Sequence, residues 1–188
     1  MFIYAGPDVF NSYAHRLHSL GPLLLIARVL LFVIFLVHIF VTNVLAIENI
    51  KARGGLGRYA IDQAVGKRTL AERTIFWSGL YIFVFVIFHI LDFAAGDQHG
   101  PRSFLYGKSY GLYGVVFNSF KDPVHGGLYI IAICFLGLHL SHGFQSILQT
   151  YGFRPKWEPV IRKSSNIFAL LMVFGFSSIP LYVYWLGH

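Results

Sequence analysis

The sequence predicts an all-α membrane protein, a transmembrane helical bundle whose single domain covers residues 1–188. Of the 188 residues, 56% are hydrophobic and only 12% are charged, whereas a soluble domain carries about 25% charged residues. Four apolar runs alternate with polar segments, and each run approaches or exceeds the roughly 20 residues that a helix needs to cross a bilayer. The low charge and the four long runs together exclude an ordinary soluble fold.

The apolar runs place the predicted spans at residues 23–47, 74–93, 124–148 and 167–186. The first run is interrupted by Arg28, whose long side chain can reach the membrane interface, and by His38. The second run contains His89, and Asp92 lies near its end, where we expect the carboxylate to be solvated. The fourth run is interrupted by Pro180. Histidine is thus the ionisable residue that recurs inside the spans.

The basic residues are concentrated on one side of the predicted bundle. The loops after the first and third spans hold ten of them, namely Lys51, Arg53, Arg58, Lys67, Arg68, Arg73, Arg154, Lys156, Arg162 and Lys163. Because cytoplasmic loops carry the excess of Lys and Arg, both loops are predicted to be cytoplasmic. The sequence therefore predicts a multi-pass protein of the cytoplasmic (inner) membrane. Its net charge of +7 reflects this topology and needs no nucleic-acid partner.

Two polar segments lie on the opposite side. Residues 6–21 are predicted to form a turn-rich loop, and residues 94–123 a Gly- and Tyr-rich loop that makes a partly ordered cap. The only cysteine is Cys134, which excludes an internal disulfide and a cysteine-ligated iron–sulfur or zinc site. Since no C-x-x-C-H motif is present, any haem would be bound non-covalently.

The stretch around His139 and His142 is the strongest functional signal. Both histidines lie inside the apolar run from about residue 128 to residue 148. An ionisable residue within a span is a functional candidate by default, and neutral imidazole is the commonest protein metal ligand. His142 lies one turn closer to water, so we interpret it as interfacial and not as an iron ligand.

Helix geometry matches two of the histidines in depth. His38 lies ten positions before Glu48, which is roughly 15 Å at 1.5 Å per residue, and His139 lies at a similar depth in the third span. His89 is sixteen positions after Arg73, roughly 24 Å, on another level with no apparent partner in the chain. We therefore predict that His38 and His139 are the two axial ligands of a haem, an arrangement that suits electron transfer.

Small residues beside His139 would let a flat porphyrin approach the helices closely. Gly137 and Gly143 flank it, and Gly79 of the second span lies near the same level. A single intramembrane histidine can equally serve as a hydrogen-bonding residue between helices. Three histidines on three spans, with two matched in depth, favour haem.

Six motifs occur in order along nearly the whole chain, namely Gly6-Pro-Asp-Val-Phe-Asn-Ser-Tyr-Ala-His15, Leu36-Val-His38, Asn49-Ile-Lys-Ala-Arg53, Tyr59-Ala-Ile-Asp-Gln-Ala-Val-Gly-Lys67, Phe88-His89 and Gly137-Leu-His139-Leu-Ser-His-Gly-Phe-Gln-Ser146. This ordered set resembles the cytochrome b membrane anchor of type B succinate dehydrogenases and fumarate reductases, a fused five-helix di-haem family. The resemblance implies that His38 and His139 bind a proximal haem near a cytoplasmic iron–sulfur subunit. It implies that His89 is one ligand of a distal haem.

The other distal ligand in that family comes from a helix that precedes the Gly6-Pro-Asp motif, and the sequence has four spans where the family has five. Either this chain has lost the distal haem, or the native gene encodes about 25 to 40 further residues before Met1, enough for one more span. We favour the second interpretation because His89 is retained. It predicts two haems for the extended chain and at most one tightly bound haem for the chain as given.

The resemblance implies a function in which the chain passes electrons between a flavoprotein–iron–sulfur pair and membrane quinone, either menaquinone or ubiquinone. No Rossmann fingerprint or cysteine cluster is present, so the chain would be a non-catalytic electron-transfer subunit. Asp8, Asn11 and His15 are candidates for binding quinone, although they can equally serve loop structure. Arg73 could pair with a haem propionate. Residues 48–73 and 149–166 would form the docking face for the iron–sulfur subunit.

Two alternatives remain open. One is the b-type cytochrome anchor of another respiratory enzyme, such as a hydrogenase or a formate dehydrogenase. The other is a carrier that uses the histidines for protons or metal ions, although the sequence lacks the internal repeats and paired broken helices typical of carriers. A haem spectrum distinguishes the carrier from both cytochromes, and the soluble partner distinguishes the cytochromes from each other.

Overall fold

A computed structural model describes residues 2–52, 70–97, 99–152 and 157–187. Its α-helices are α1 (Pro7–His18), α2 (Pro22–Ala52), α3 (Leu70–His89), α4 (Gly111–Lys121), α5 (Pro123–Thr150) and α6 (Glu158–Gly187). Shorter elements are the 3-10 turns Phe2–Ala5 and Pro101–Ser103, a π-helical turn at Ile90–Ala94, and the strands β1 (Phe104–Leu105) and β2 (Lys108–Ser109). Within these ranges the fold is all-α apart from one short hairpin, as predicted.

Among the described residues, four helices are long and apolar enough to cross a membrane, namely α2, α3 with its π turn, α5 and α6. They indicate a multi-pass membrane protein. The largest boundary difference is in α6, which begins at Glu158 instead of residue 167. Its first turns carry an exposed Arg162–Glu158 pair at 3.4 Å, one helical turn apart. Charged turns of this kind extend a helix beyond the apolar run that hydropathy detects.

The prediction of a loop over residues 6–21 is wrong, because most of this segment is helix α1. Gly6 has φ +88°, and Pro7 then occupies the first helical position, where its missing N–H costs nothing. Asp8 lies in the first turn, where a negative charge is favourable. The Gly-Pro-Asp sequence therefore starts a helix where we had interpreted it as a turn.

Two compact units divide the chain, one formed by Met1–Asn11 with Arg68–His188 and the other by Ser12–Lys67. In the larger unit, α3 packs against α5 and α5 against α6. The ring pairs Phe85–Tyr129 and Tyr81–Phe135 show that α3 and α5 run antiparallel. The smaller unit contains α2.

Helix α4 and the hairpin cover one end of the α3–α5–α6 bundle. We call residues 101–121 the cap, and the bundle end that it covers the cap end. Buried Tyr113, Phe117 and Phe120 of α4 cluster with Tyr129 of α5 and Val183 of α6. The described residues of the segment 94–123, which are 94–97 and 99–123, are thus an ordered part of the fold, which extends the predicted partly ordered cap.

Candidate functional site

His139 is held by a hydrogen bond from the neighbouring span. Ser78 of α3 is fully buried, and its Oγ lies 3.2 Å from His139 Nδ1. The same hydroxyl donates its one proton to the carbonyl oxygen of Ile75 at 3.0 Å. A hydroxyl that donates to Ile75 can accept from His139, and this arrangement requires the proton of the imidazole to lie on Nδ1. This tautomer leaves Nε2 with the lone pair that a metal ligand needs.

Gly79 brings the backbone of α3 close to the same ring. A Cβ atom at this position would lie 3.3 Å from His139 Cε1, which is closer than ordinary van der Waals contact. A larger residue would therefore push the imidazole away from its position beside Ser78. Ser78 and Gly79 together restrict the position of the half-buried His139 ring.

The other two glycines near His139, Gly137 and Gly143, differ in the space that lies beside them. A Cβ atom at Gly137 would come within 2.3 Å of Val173 Cγ2, so α6 already fills that space. The expectation that Gly137 makes room for a porphyrin is wrong, because this glycine allows α5 and α6 to pack closely. At Gly143 a Cβ atom would meet nothing within 4 Å among the atoms considered, so this side of α5 can accept a bulky group.

Further polar contacts between α5 and α6 lie beyond His139 along α5, on the side away from the cap end. Ser141 is buried and donates to Asn166 Oδ1 at 2.8 Å. Gln145, one turn further along α5, is also buried. His142 is half-buried between these two positions. The polar residues around His139 therefore join helices to each other, as small polar residues do between spans.

His89 is surrounded differently. Its ring stacks on Phe85 at 5.8 Å between centroids, meets Phe93 edge-on at 5.4 Å, and lies 6.0 Å from the ring of Tyr129, which is tilted against it. Its remaining surface is exposed. His89 lies eleven residues beyond Ser78 on α3, roughly 16 Å at the helical rise. The two histidines thus occupy different levels of the α3–α5 pair, as predicted.

Asp92 is the centre of a polar network, contrary to the expectation that it is solvated. Its side chain is only 20% exposed. One carboxylate oxygen accepts from Arg102 Nη2 at 3.3 Å, and the other accepts from Tyr129 Oη at 2.8 Å. His125 Nε2 lies 3.1 Å from the second oxygen, an ion-pair distance, but its N–H is not aligned for a hydrogen bond. Because the partners come from the cap and α5, Asp92 is inaccessible to bulk water on most sides.

The network also joins the cap to the bundle. Arg102 Nη2 donates to Ser119 of α4, and the backbone oxygen of Arg102 accepts from Asn118 Nδ2 at 2.8 Å. The ring of His125 stacks on Tyr129 at 5.0 Å. Tyr129 therefore links the carboxylate of Asp92 to the ring of His89. Sequence reasoning missed this network because its members are far apart along the chain.

The structure does not test the predicted roles of two haem-binding residues, His38 and Arg73. His38 lies on α2 in the smaller unit, and its backbone oxygen accepts from Thr42 Oγ1 at 2.8 Å. Its pairing with His139 stays a prediction. The side chain of Arg73 lies outside the described residues, so its contact with a haem propionate also stays a prediction.

The three candidate quinone-binding residues lie on α1. Asn11 is already engaged, because its Nδ2 donates to Tyr110 O at 2.8 Å and its Oδ1 accepts from Tyr113 N at 3.1 Å. Asn11 therefore fastens α1 to the start of α4. Asp8 and His15 are exposed, and their role in binding quinone stays a prediction.

Tyr113 is the titratable residue of the cap whose pKa is most clearly changed by its surroundings. Asn11 contacts it through the backbone. Burial raises the pKa of Tyr113 above its ordinary value of 10.0, and Tyr182 raises it further. The ring also meets Phe10 edge-on at 5.9 Å. The phenol is therefore held neutral as part of the cap core.

Comparisons with protein-family models, with curated proteins and with solved structures returned no match to this chain. Within the described ranges, no three His, Cys, Asp or Glu side chains gather into a group that could hold a metal ion. A functional assignment therefore rests on the two histidine levels of the α3–α5 pair and on the sequence motifs.

Proposed function

We propose that this chain is the haem b-binding membrane anchor of a succinate:quinone oxidoreductase, in which it passes electrons between an iron–sulfur subunit and membrane quinone. The observation that carries the proposal is the contact of Ser78 with His139 Nδ1. Metal-ligating histidines almost always donate their second ring N–H to a neighbouring group, which fixes the tautomer and the ring orientation. The contact of Ser78 with His139, between two apolar helices, supports such an arrangement.

Two glycines near His139 support the proposal of a planar group beside this residue. Gly79 keeps α3 close to the imidazole, and open space lies beside Gly143 on α5. His38 is the proposed second ligand, on the basis of its predicted depth. His38 and His139 would hold a haem b between their imidazoles, and such a group would supply one-electron transfer. The apolar side chains of α3 and α5 would exclude water from this level.

His89 is the proposed ligand of a second haem on the other level. The rings of Phe85, Phe93 and Tyr129 hold its imidazole from three directions and leave the remaining surface exposed. Two haems on separate levels would let an electron cross the membrane in steps. The resemblance to the di-haem anchors supports this arrangement and assigns the second ligand to another helix.

The test replaces each histidine with alanine in the full chain, expressed in membranes with its partner subunits. His139→Ala and His38→Ala should each remove the low-spin haem signal of the His139 level. His142→Ala is the matched control, since it removes a half-buried histidine one turn away and should leave the signal intact. Reduced-minus-oxidised spectra and pyridine haemochrome assays measure the loss. If His142→Ala alone abolished haem binding, the assignment to His139 would be wrong.

The soluble partner identifies which cytochrome this is. Affinity purification of the chain should recover a flavoprotein and an iron–sulfur protein together with succinate:quinone activity. Recovery of a hydrogenase or a formate dehydrogenase would favour the anchor of another respiratory enzyme. A purified chain that contains no haem and transports protons or metal ions would overturn the cytochrome proposal and favour the carrier.

A further inference from the structure

The tip of the β1–β2 hairpin carries an exposed aromatic residue in an unfavourable backbone conformation. Tyr106 and Gly107 form the two-residue turn and have φ +51° and +79°, as in the type I′ turns that twisted hairpins favour. Among the described residues, Tyr106 is the only non-glycine with positive φ. Bulky residues rarely adopt this conformation, because the Cβ atom then crowds the backbone. Asn or Gly would fit the same turn with less strain.

The ring of Tyr106 gains little from packing on the rest of the described chain, since the residue is 96% exposed. Neighbouring Phe104 is 48% exposed, and Lys108 is exposed with its Nζ 5.6 Å from the centroid of the Tyr110 ring. The tip therefore presents aromatic surface beside a positive charge. Neither the strain nor the exposure at Tyr106 is explained by the stability of the cap itself.

The base of the hairpin is firmly attached. Asn118 of α4 donates to the backbone oxygens of Arg102 and Phe104 at 2.8 and 2.9 Å. Ser103 is fully buried and its Oγ lies 2.9 Å from Ser109 Oγ, which closes the start of the two strands. A Cβ atom at Gly114 would overlap the backbone of Ser103, so α4 lies directly against the hairpin. The tip is thus presented by a rigid support.

Charge and position restrict what the tip can contact. The chain has no Asp or Glu between Asp97 and Asp122, whereas Arg102, Lys108 and Lys121 lie in that segment. Both ends of the segment continue into candidate membrane spans, which end at Ala94 and begin again at Pro123. The hairpin must therefore stay near the membrane surface at the cap end, where phospholipid headgroups offer negative charge.

We propose that Tyr106 and Lys108 form a membrane-surface anchor, in which the hairpin tip enters the headgroup region of a bilayer that contains anionic phospholipid. Tyrosine concentrates at the membrane–water interface because its ring is apolar and its hydroxyl is polar. Lysine beside it is attracted to anionic headgroups. The anchor would hold the cap against the membrane and keep α4 seated on the bundle. This inference does not depend on haem binding.

The experiment places a nitroxide spin label at the tip of the full chain. Tyr106→Cys is made in a Cys134→Ser background, since Cys134 is the only native cysteine, and the protein is reconstituted into phosphatidylcholine vesicles with or without phosphatidylglycerol. With phosphatidylglycerol present, the label should be more accessible to oxygen than to a water-soluble nickel complex. Without it, access to nickel should rise. A label at Asp97, an exposed acidic residue before the cap, is the aqueous control.

Two results would overturn the anchor. A label at position 106 that is as accessible to nickel as the Asp97 label in both vesicle types would place the tip in water. A strongly immobilised label that is shielded from both reagents would indicate a protein contact, such as another subunit or a second copy of the chain. Either result leaves the histidine assignments untouched.

A second pair of variants separates anchoring from folding. Tyr106→Gly removes the ring and relieves the backbone strain, so thermal stability in detergent should be equal to or higher than that of the parent. The same variant should lose most of the stabilisation that phosphatidylglycerol vesicles give the parent protein. Lys108→Gln should lose the dependence on phosphatidylglycerol and keep its stability in neutral vesicles. Full retention of the lipid effect in both variants would contradict the proposal.

Discussion

His139 and His89 lie on the same pair of antiparallel helices, yet their rings are held by opposite means. A buried hydroxyl bonds one nitrogen of His139, whereas His89 touches aromatic rings on three sides. A hydrogen bond determines which nitrogen carries the proton. Ring stacking determines only the plane of the imidazole. One side chain, Ser78, therefore orients His139, whereas three aromatic side chains together orient His89.

The group around His89 depends in turn on the polar network behind it. Tyr129 touches His89 with its ring and donates its hydroxyl proton to Asp92. Asp92 is also bonded to Arg102, which fastens the cap. Changes in the cap should thus reach His89 through Tyr129, whereas His139 should be insulated from them. The following predictions test this difference.

The largest effect is expected for Asp92→Ala. The change leaves the guanidinium of Arg102 and the hydroxyl of Tyr129 without their acceptor, which should lower the free energy of unfolding by about 3 kcal/mol. Denaturant unfolding in detergent micelles measures the loss. Asp97→Ala is the control, because among the described residues this exposed carboxylate accepts from the nearby backbone N–H of His99, and it should change stability by less than about 0.5 kcal/mol. Equal effects of the two variants would show that the network is not central.

Ser78→Val is expected to act at the other level. It replaces the hydroxyl with two methyl groups and so removes the acceptor for His139 Nδ1–H, which should weaken haem binding about 10- to 100-fold if His139 is an iron ligand. Ser78→Thr keeps the hydroxyl and should retain most of the affinity. Haem titration of the apoprotein, monitored by absorbance, provides the measurement. An unchanged haem affinity in the valine variant would show that the Ser78 hydroxyl does not contribute to haem binding.

Substitutions at Tyr129 separate the hydroxyl from the ring. Tyr129→Phe removes only the bond to Asp92 and should cost about 1 kcal/mol of unfolding free energy. Tyr129→Leu also removes the aromatic contact with His89 and should cost about 1 kcal/mol more. Unfolding curves of the two variants give the difference directly. Identical curves would mean that the ring contributes nothing beyond its volume.

The smallest effect is a pH dependence confined to the cap. Burial raises the pKa of Tyr113 above its ordinary value of 10.0, so the unfolded chain loses this proton more readily than the folded one. The contribution of the neutral phenol to stability is complete below pH 10 and declines as pH rises from there through the folded pKa. Tyr113→Phe should flatten the alkaline part of a stability–pH curve. An alkaline slope that matches the parent would assign the decline to another group.

Composition and hydropathy predict the four long helices because a bilayer span must be long and apolar. The ends of these helices are less predictable, since the charged first turns of α6 fold as helix beyond the apolar run. Helix α1 was predicted as a loop because Gly, Pro, Asp and Asn are shared by turns and by helix starts. Only the tertiary contacts of Asn11 with α4 distinguish the two outcomes.

The sequence indicated the histidines of the candidate site but not the residues that contact them. A histidine in an apolar run is conspicuous, whereas Ser78 is one small polar residue whose partner lies 61 positions away. A Ser-Gly pair within a span is the available signal, because small residues mark close helix contacts. The role of Asp92 was missed because proximity to the end of a span is a poor guide to burial once a cap covers that end.

The π turn at Ile90–Ala94 makes the side-chain contacts of this region depend on the number of residues in the turn. Ala95 N donates to Ile90 O at 2.8 Å across the widened turn, which contains one residue more than an α-helical turn. Removing a single residue here would restore the α-helical pattern and rotate the flanking segments by about 100° relative to each other. His89 and Asp92 could then no longer both meet Tyr129. A one-residue deletion should therefore be more disruptive than most substitutions in this turn, because it changes the helical phase that the histidine and the carboxylate share.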